Sequence, residues 1–369
     1  MTYLTMKGFN KTTPPYKTFT ISRTEQSDMS SGWTYSDDAT WLTAGSTEFD
    51  TFFWYYGCRL SSAWAETDKV TQSSPWTLDI TQLWTLTSGD NVMIAFPRRW
   101  IKMSKSWSVV TLSITEDPNK EWYQYYAHTK WSTAKDTLYL WAYKMVSWYK
   151  SLSGKTPLVN QTRGTFRAWI RSTYYGWASW IDNYSQVTIY PRWYINALYM
   201  MKYWNPNSQS VVGVWCTNLA ANTWGTNSQT NATYGSSSSS VQVRLFWLED
   251  RWGNAGEFLD SCWYNSSKEL EVDTTNTVLD DWNYVYPTSL WIPSAWYIWW
   301  IAWTNDKMFM STSAGWSWST YYTDYFDVNS SKVISAGSYG WWVASWIFRI
   351  GYINSGNTSN WYWARLMYL

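Results

Sequence analysis

The sequence predicts an α+β fold made of short antiparallel strands, few helices and much loop. Short runs of β-branched and apolar residues, such as 92–96 and 109–115, are typical of strands. After Pro191, apolar residues recur at the helical spacing i, i+3, i+4 and i+7, which indicates a helix. Residues 216–240 are polar, rich in Ser and Gly, and follow neither period, so they are predicted to form a loop.

Residues 1–90 are predicted to form a small β-rich region that serves for attachment or as an adaptor. Residues 18–23 (Thr-Phe-Thr-Ile-Ser-Arg) are typical of a strand. Phe49, Phe52 and Phe53 have the spacing i, i+3 and i+4, so we expect one helical turn packed on a core.

We predict a second, larger domain over residues 91–369. Residues 101–105 and 109–115 form a hairpin through 106–108, and residues 136–143 and 241–246 are further strands. A helix is expected over 162–170. A second, amphipathic helix has Pro191 at its first position, because the fixed φ of proline suits that place.

Composition and charge argue against several classes of partner. The net charge of +1 provides no basic field, so we expect no nucleic-acid partner. The start of the chain has no apolar stretch typical of a secretory signal. The most apolar run, 291–303, is short and interrupted by Pro293, so no membrane insertion is predicted.

Residues with catalytic side chains do not form a recognisable system, so the sequence predicts a protein that is not an enzyme. His128 is the single histidine, and a packed or hydrogen-bonded role is expected for it. Gly154-Lys155-Thr156 lacks the remaining glycine of a phosphate-binding loop and is interpreted as a turn. The three cysteines are widely spaced and indicate neither a disulfide framework nor a zinc site.

Tryptophan is the compositional anomaly, with 35 Trp against 18 Gly. Several tryptophans stand where turn chemistry is expected, as in Gly315-Trp316-Ser317-Trp318. One explanation is a carbohydrate-binding surface on which Trp and Tyr faces stack against sugar rings. The other is that many of these tryptophans stand for glycine, which predicts Trp in exposed turns or at positive φ.

Several motifs occur in the order found in one known family. Residues 247–258 (Trp-Leu-Glu-Asp-Arg-Trp-Gly-Asn-Ala-Gly-Glu-Phe) resemble its signature Gly-Leu-x-Asp-x-x-Gly-Asn-x-x-Glu-Trp, with Trp247 at the first glycine. Residues 336–339 and 345–348 resemble the start of the family's ending, and Trp363-Ala364-Arg365-Leu366 resembles its closing Gly-Ala-Arg-Leu. The chain therefore resembles the formylglycine-generating-enzyme-like branch of the C-type lectin fold, over residues 90–369 and more weakly over 37–59. Within that branch it is most similar to variable proteins of diversity-generating retroelements and to phage tail receptor-binding proteins.

The resemblance implies a C-type lectin-like ligand-binding domain over 91–369 with a display segment at 320–363. Its codons would be open to adenine-directed diversification, and Phe348, Arg365 and Leu366 would be buried scaffold positions. The implied ligand-binding residues are Tyr339, Arg349, Tyr352, Asn354, Asn357, Asn360, Tyr362, Tyr321, Tyr322 and Asp324. Some tryptophans of this chain stand at positions where the family has glycine. They would be explained if the source organism reads UGA as glycine and this sequence was translated with UGA as tryptophan.

The signature motif leaves two roles open for its polar residues. In the family it shapes the core of the domain, which predicts structural hydrogen bonds. Asp250, Asn254 and Glu257 also offer oxygen ligands to a hard cation such as Ca²⁺, and no other cofactor is expected.

The function that the resemblance implies is recognition of a protein or glycan receptor on a target cell surface. The protein would lie on a virion tail or on a cell surface, and a homo-oligomer is compatible with that role. The alternative is a carbohydrate-binding protein with genuine Trp and Tyr platforms. An oxidase of the parent fold is disfavoured, because its active-site cysteines lie in the C-terminal part and this chain has no Cys after Cys262.

Overall fold

The computed structural model shows a mixed α and β architecture with short, mostly antiparallel sheets and few helices. It describes residues 16–26, 29, 31–60, 66–67, 91–174, 184–214, 222–223, 226, 229, 231–237, 242–254, 256–276, 288–290, 296–315, 322, 325–326, 332–336, 347–354, 356, 358 and 362–369.

The described elements comprise α-helices, two 3₁₀ turns (Tyr126–His128 and Ser147–Tyr149) and strands. The helices are α1 (Glu48–Phe53), α2 (Arg163–Tyr174), α3 (Ile189–Tyr203) and α4 (Ser208–Val211). The first strands are β1 (Thr18–Thr24), β2 (Thr34–Asp37), β3 (Tyr56–Leu60), β4 (Glu66–Thr67), β5 (Asn91–Pro97), β6 (Trp100–Ser106), β7 (Val109–Thr115), β8 (Thr129–Lys130), β9 (Thr133–Ala134), β10 (Thr137–Trp141) and β11 (Tyr184–Gln186). The later strands are β12 (Arg244–Leu245), β13 (Leu248–Glu249), β14 (Gly256–Tyr264), β15 (Leu270–Val272), β16 (Thr288–Leu290), β17 (Trp296–Ile301), β18 (Ser311–Gly315), β19 (Tyr325–Phe326), β20 (Lys332–Ala336), β21 (Ile350–Ile353), β22 (Tyr362–Trp363) and β23 (Leu366–Tyr368).

A four-stranded antiparallel sheet has the order β2-β1-β7-β6. The predicted hairpin is confirmed: β6 and β7 pair from Trp100↔Thr115 to Ser106↔Val109, which leaves Trp107 and Ser108 as the turn. The strand predicted at 18–23 is confirmed as β1. Its alternate residues Phe19 and Ile21 are buried in the core, as the period of two requires.

A six-stranded antiparallel sheet has the order β11-β23-β10-β5-β3-β4. Residues Asn91 to Phe96 of β5 are all buried, which accounts for the unbroken apolar run in the sequence. β23, from the last residues of the chain, lies between β10 and β11. The C-terminal end is therefore built into the interior of the fold.

A nine-stranded sheet holds most of the second half of the chain. Its order is β16-β15-β14-β20-β21-β19-β17-β18, with β22 pairing in parallel beside β14. The register between β14 and β20 shifts between Leu259 and Trp263, where the ladder is irregular. This sheet carries β21 and β22, which flank the predicted display positions.

The predicted helix after Pro191 is present, but two details of the prediction are wrong. α3 begins at Ile189, so Pro191 lies within its first turn, where a missing N–H breaks no helical hydrogen bond. All residues from Ile189 to Lys202 are buried, so the helix has no exposed face. It packs against β1, β7, β14 and α1, and a helix enclosed on all sides needs no polar stripe.

The predicted boundary after residue 90 does not separate two described units. β1 pairs with β7 and β3 pairs with β5, so strands from residues 16–60 complete sheets that contain later strands. The expected turn at Phe49, Phe52 and Phe53 is confirmed as α1, and all three rings are buried in the common core.

The strand predicted over 241–246 is shorter than expected. Among its described residues, 242–246, only Arg244–Leu245 is strand, followed by a two-residue turn at Phe246 and Trp247 and by β13. Both turn residues have positive φ, the geometry that two-residue hairpins favour. Among the described helices, α3 is the longest at 15 residues, and none is long and apolar enough to cross a membrane.

Candidate functional site

The C-terminal segment is anchored at both ends, and the residues described between the anchors are exposed. Phe348 and Ile350 are buried where the segment enters the nine-stranded sheet. After Ile353, the described residues Asn354, Gly356 and Thr358 are exposed. The chain then becomes buried again from Trp363 to Met367. The scaffold prediction for Phe348, Arg365 and Leu366 is confirmed, since all three are buried.

The predicted display residues fall into three groups. Asn354 is exposed, and Arg349, Tyr352 and Tyr362 are half-buried. Tyr322 is buried. The remaining predictions lie outside the described residues: Tyr339, Asn357, Asn360, Tyr321 and Asp324.

Tyr322 is a core residue in the structure, which contradicts its prediction as a display residue. Its side chain is fully buried, and its hydroxyl donates to Glu25 Oε1 at 3.4 Å. The indole N–H of Trp303 donates to the same hydroxyl at 3.2 Å. Burial, together with the charge of Glu25, raises the pKa of Tyr322. This tyrosine therefore joins the N-terminal segment to the later sheet.

Tyr352 and Tyr362 project from opposite faces of the nine-stranded sheet. Tyr352 pairs with Ile334, which pairs with Leu259, and these three lie on the face that covers the main core. Tyr362 pairs with Gly256 and packs on Phe258, with the ring centres 5.5 Å apart. Paired residues share a face and consecutive residues alternate, so Leu259 and Phe258 point in opposite directions. The described part of the predicted display set is therefore divided between two faces.

Arg365 fastens the closing end of the segment to the scaffold. Its guanidinium donates to the carbonyl oxygens of Trp141 and Glu249, and to that of Ala142 at 3.0 Å. The backbone on either side is also held, because the Met145 amide donates to Ala364 O at 3.0 Å and the Val187 amide to Arg365 O at 2.9 Å. The five-donor fork of arginine makes several such bonds from one buried side chain.

Glu257 lies at the centre of a buried cluster of arginines. Its carboxylate is 3.2 Å from Arg192 Nη1, 3.6 Å from Arg251 Nη1 and 3.4 Å from Arg365 Nε. Burial raises the pKa of Glu257, but the positive charges of Arg365, Arg251 and Arg192 outweigh burial and lower it below its ordinary value. The carboxylate is thus held ionised and joins α3, the signature motif and the closing end of the chain.

Arg251 is the least satisfied member of this cluster. All three of its guanidinium nitrogens are buried without a hydrogen-bond partner, and its ion pair with Glu257 is long. Burial and then repulsion from Arg192 lower the pKa of Arg251. The cluster therefore carries more buried positive charge than Glu257 alone neutralises.

Asp250 and Asn254 form a hydrogen-bonded group beside this cluster. The Asp250 carboxylate accepts from Gln242 Nε2 at 2.7 Å and from Asn254 Nδ2 at 2.8 Å. Lys144 Nζ donates to Gly253 O at 3.4 Å and lies 3.4 Å from the centre of the Trp363 ring. Burial raises the pKa of Asp250, while the charge of Lys144 opposes that rise.

The hydrogen-bonding interpretation of the signature motif agrees with these contacts. Asn254 donates its amide to Asp250, and Glu257 faces three arginines, so cationic side chains already lie around these oxygens. Within the described ranges, no group of three His, Cys, Asp or Glu is placed to hold a metal ion. Binding of Ca²⁺ at Asp250, Asn254 and Glu257 stays a prediction.

The buried basic residues Lys144, Arg192 and Arg251 were not predicted as part of this site. Each stands next to aromatic residues in the sequence, as Arg192 does between Pro191 and Trp193. A charged residue inside an apolar run is the signal that points to a buried ionic partner. The partner, Glu257, lies on β14, far along the chain from Lys144 and Arg192 although it closely follows Arg251.

His128 and Asp50 have structural contacts. The prediction of a packed His128 is confirmed: it is buried, and its Nε2 hydrogen-bonds the Phe96 carbonyl at 3.0 Å. Burial lowers the pKa of His128 to about 3. Asp50 accepts from Lys202 Nζ at 2.6 Å and from the Tyr55 hydroxyl at 2.7 Å.

Comparison with known proteins adds no relative to this picture. The chain matches no model of a protein family, and none of the curated proteins matches it.

Proposed function

We propose that this chain is a ligand-recognition protein that displays a diversifiable C-terminal surface on a C-type lectin-like scaffold, on a phage tail or a cell surface. The ligand is a protein or glycan receptor on a target cell. The resemblance in the signature motif and in the closing residues 363–366 supports this proposal.

The observation that carries the proposal is the change in burial along the C-terminal segment. The buried anchors Phe348, Ile350 and Ile353 on one side, and the buried residues from Trp363 to Leu366 on the other, enclose the exposed Asn354, Gly356 and Thr358. Substitutions at exposed positions are usually within about 0.5 kcal/mol of neutral, whereas the buried anchors have little tolerance. A segment of this kind can change its binding chemistry while its scaffold stays the same.

Half-buried aromatic residues fit a contact surface in this segment. Tyr352 and Tyr362 each rest one side on a hydrophobic cluster and keep part of the ring accessible. Tyrosines held in this way offer contact area at low conformational entropy cost. Because the two lie on opposite faces, we expect them to act in two patches, with Asn354 belonging to the loop that joins them.

The 3′ end of the gene tests the proposal if it is sequenced from several individuals of the source population. We expect differences at the codons of Arg349, Tyr352, Asn354 and Tyr362, restricted to positions where a nearby template copy has adenine. Codons of Phe348, Arg365 and Leu366 should be invariant. An invariant segment, or variation spread evenly over scaffold and display positions, would contradict the proposal.

A carbohydrate-binding function is the second candidate, and one surface cluster favours it. Arg98 lies over the rings of Trp100, at 4.9 Å, and Tyr125, at 5.8 Å, and the two rings meet edge to face. A sugar ring would stack on the faces of these rings that Arg98 leaves uncovered. Loss of glycan-array signal in Trp100→Ala and Tyr125→Ala, but not in Asn354→Ala, would favour this function over the first.

A further inference from the structure

Seven tryptophans of the described residues have a left-handed backbone. In the described part of the chain, 18 non-glycine residues have φ between 51° and 82°, and seven of them are Trp: Trp54, Trp107, Trp122, Trp131, Trp148, Trp204 and Trp247. Asn and Asp together provide five. A left-handed backbone brings Cβ against the following carbonyl oxygen, so glycine prefers it, Asn and Asp tolerate it, and bulky residues are outliers.

Two of the seven tryptophans end helices. Trp54 follows α1 with φ 55°, and its amide donates to Asp50 O at 2.9 Å. Trp204 follows α3 with φ 55°, and its amide donates to Met200 O at 3.0 Å. A left-handed residue that closes a helix with such a bond is most often glycine.

Three others lie in two-residue hairpin turns. Trp107 is the first turn residue between β6 and β7, Trp131 is the first between β8 and β9, and Trp247 is the second between β12 and β13. These turns require positive φ at one or both central positions, and glycine is the residue that usually supplies it.

Burial does not offset the backbone strain at five of these positions. Trp54, Trp107, Trp122, Trp131 and Trp148 have 58 to 96% of their surface exposed. A tryptophan stabilises a fold mainly through the apolar area that it buries. An exposed tryptophan in a left-handed turn therefore carries the strain with little compensating contact.

We propose that these seven positions are glycine in the polypeptide that the source organism makes. Each position would be encoded by a codon such as UGA. The source organism reads this codon as glycine, whereas another genetic code reads it as tryptophan. The inference rests on backbone geometry at named positions and not on the proposed function. It also removes five exposed indoles as stacking platforms, so a glycan site would have to use other aromatic residues.

Mass spectrometry of tryptic peptides from the protein isolated from its natural source tests this directly. The peptide 106–120 should contain glycine at position 107. The peptide 252–268 serves as the matched control, because Trp252 is buried, has ordinary φ and donates its indole N–H to Gly213 O at 3.2 Å. Glycine at 107 with tryptophan at 252 supports the inference, whereas tryptophan at 107 overturns it.

Paired variants of the recombinant chain test the backbone argument independently. We expect Trp107→Gly to have a higher melting temperature than Trp107→Ala, because alanine keeps the Cβ that the left-handed backbone crowds. Trp41 is the control: it is 92% exposed but has no positive φ, so Trp41→Gly should melt below Trp41→Ala. If the alanine and glycine variants had the same order of melting temperatures at positions 107 and 41, the backbone explanation would be contradicted.

Discussion

Arg365 shows how one buried residue fixes the closing end of the C-terminal segment. It bonds three carbonyl groups from β10, the residue after it and β13, and it also faces Glu257. Removing it leaves these carbonyl groups buried without their donor and takes away one of the three arginines that face the Glu257 carboxylate.

Substituting Arg365 by Met should therefore lower the free energy of unfolding by about 3–5 kcal/mol. Arg365→Lys should recover part of this loss, because it restores the charge but not the planar fork. Urea denaturation of both variants measures the difference. Equal stability of the wild type and Arg365→Met would show that the arginine does not anchor the segment.

Arg251 should behave in the opposite way. Its nitrogens lack hydrogen bonds and two other arginines surround the same carboxylate, so its charge adds repulsion and desolvation cost. We expect Arg251→Met to raise the free energy of unfolding by about 1 kcal/mol or more. Arg192→Met is the control and should be destabilising, because Arg192 donates to Glu257 and to Arg251 O. Thermal melts that rank the two variants the other way would contradict this account of the cluster.

Glu257 gives the cluster a defined pH dependence. Its pKa in the folded protein is lowered, so its ionised form contributes stability at pH values above the unfolded pKa of about 4.3. That contribution is lost as the pH falls through the folded pKa. The free energy of unfolding should decrease below about pH 4, and Glu257→Gln should be less stable at pH 7 with a weaker decrease on acidification. A Glu257→Gln variant with the wild-type acid profile would exclude this carboxylate as the cause.

At the scale of elements, the sequence predicts strands and turns better than helix boundaries and strand ends. The hairpin of β6 and β7 follows from alternation around a two-residue turn, which is local information. The burial of α3 on all sides depends on elements far along the chain, so its aromatic and apolar residues were interpreted as only one face. Likewise, the turn at Phe246 and Trp247, which both have positive φ, shortens the predicted strand, because the turn takes Phe246 from the residues that the pattern assigns to the strand.

The ends of α1 and α3 provide a prediction at this scale. Trp54 and Trp204 close these helices in left-handed geometry, which costs an L-residue about 1–2 kcal/mol. Trp54→Gly should raise the free energy of unfolding by up to about 1 kcal/mol, because the strain is removed and little contact is lost. Trp54→Asn should have an intermediate effect, since Asn tolerates this conformation better than other side chains do. Chemical denaturation distinguishes these cases, and a loss of stability in Trp54→Gly would contradict them.

For the whole molecule, the sequence predicts the mixed class but not the sheets that the first and last described strands join. β1 and β3 join sheets that contain later strands, and β23 lies between β10 and β11. These pairings join segments that are separated in the sequence by other elements, the most distant being Tyr139 with Tyr368, and local patterns do not report them. Of the candidate site, the buried anchors Phe348, Arg365 and Leu366 were predicted from resemblance. The division of Tyr352 and Tyr362 between two faces depends on the register of β14, β20 and β21.

The division of residues 347–369 into exposed positions and buried anchors is tested by a folding scan in which every position is replaced in turn and the folded protein is quantified. We expect Asn354 and Thr358 to accept most substitutions, whereas Phe348, Arg365 and Leu366 should accept few. Sensitivity at Asn354 and Thr358 equal to that at Arg365 would contradict the division into a display segment and its anchors.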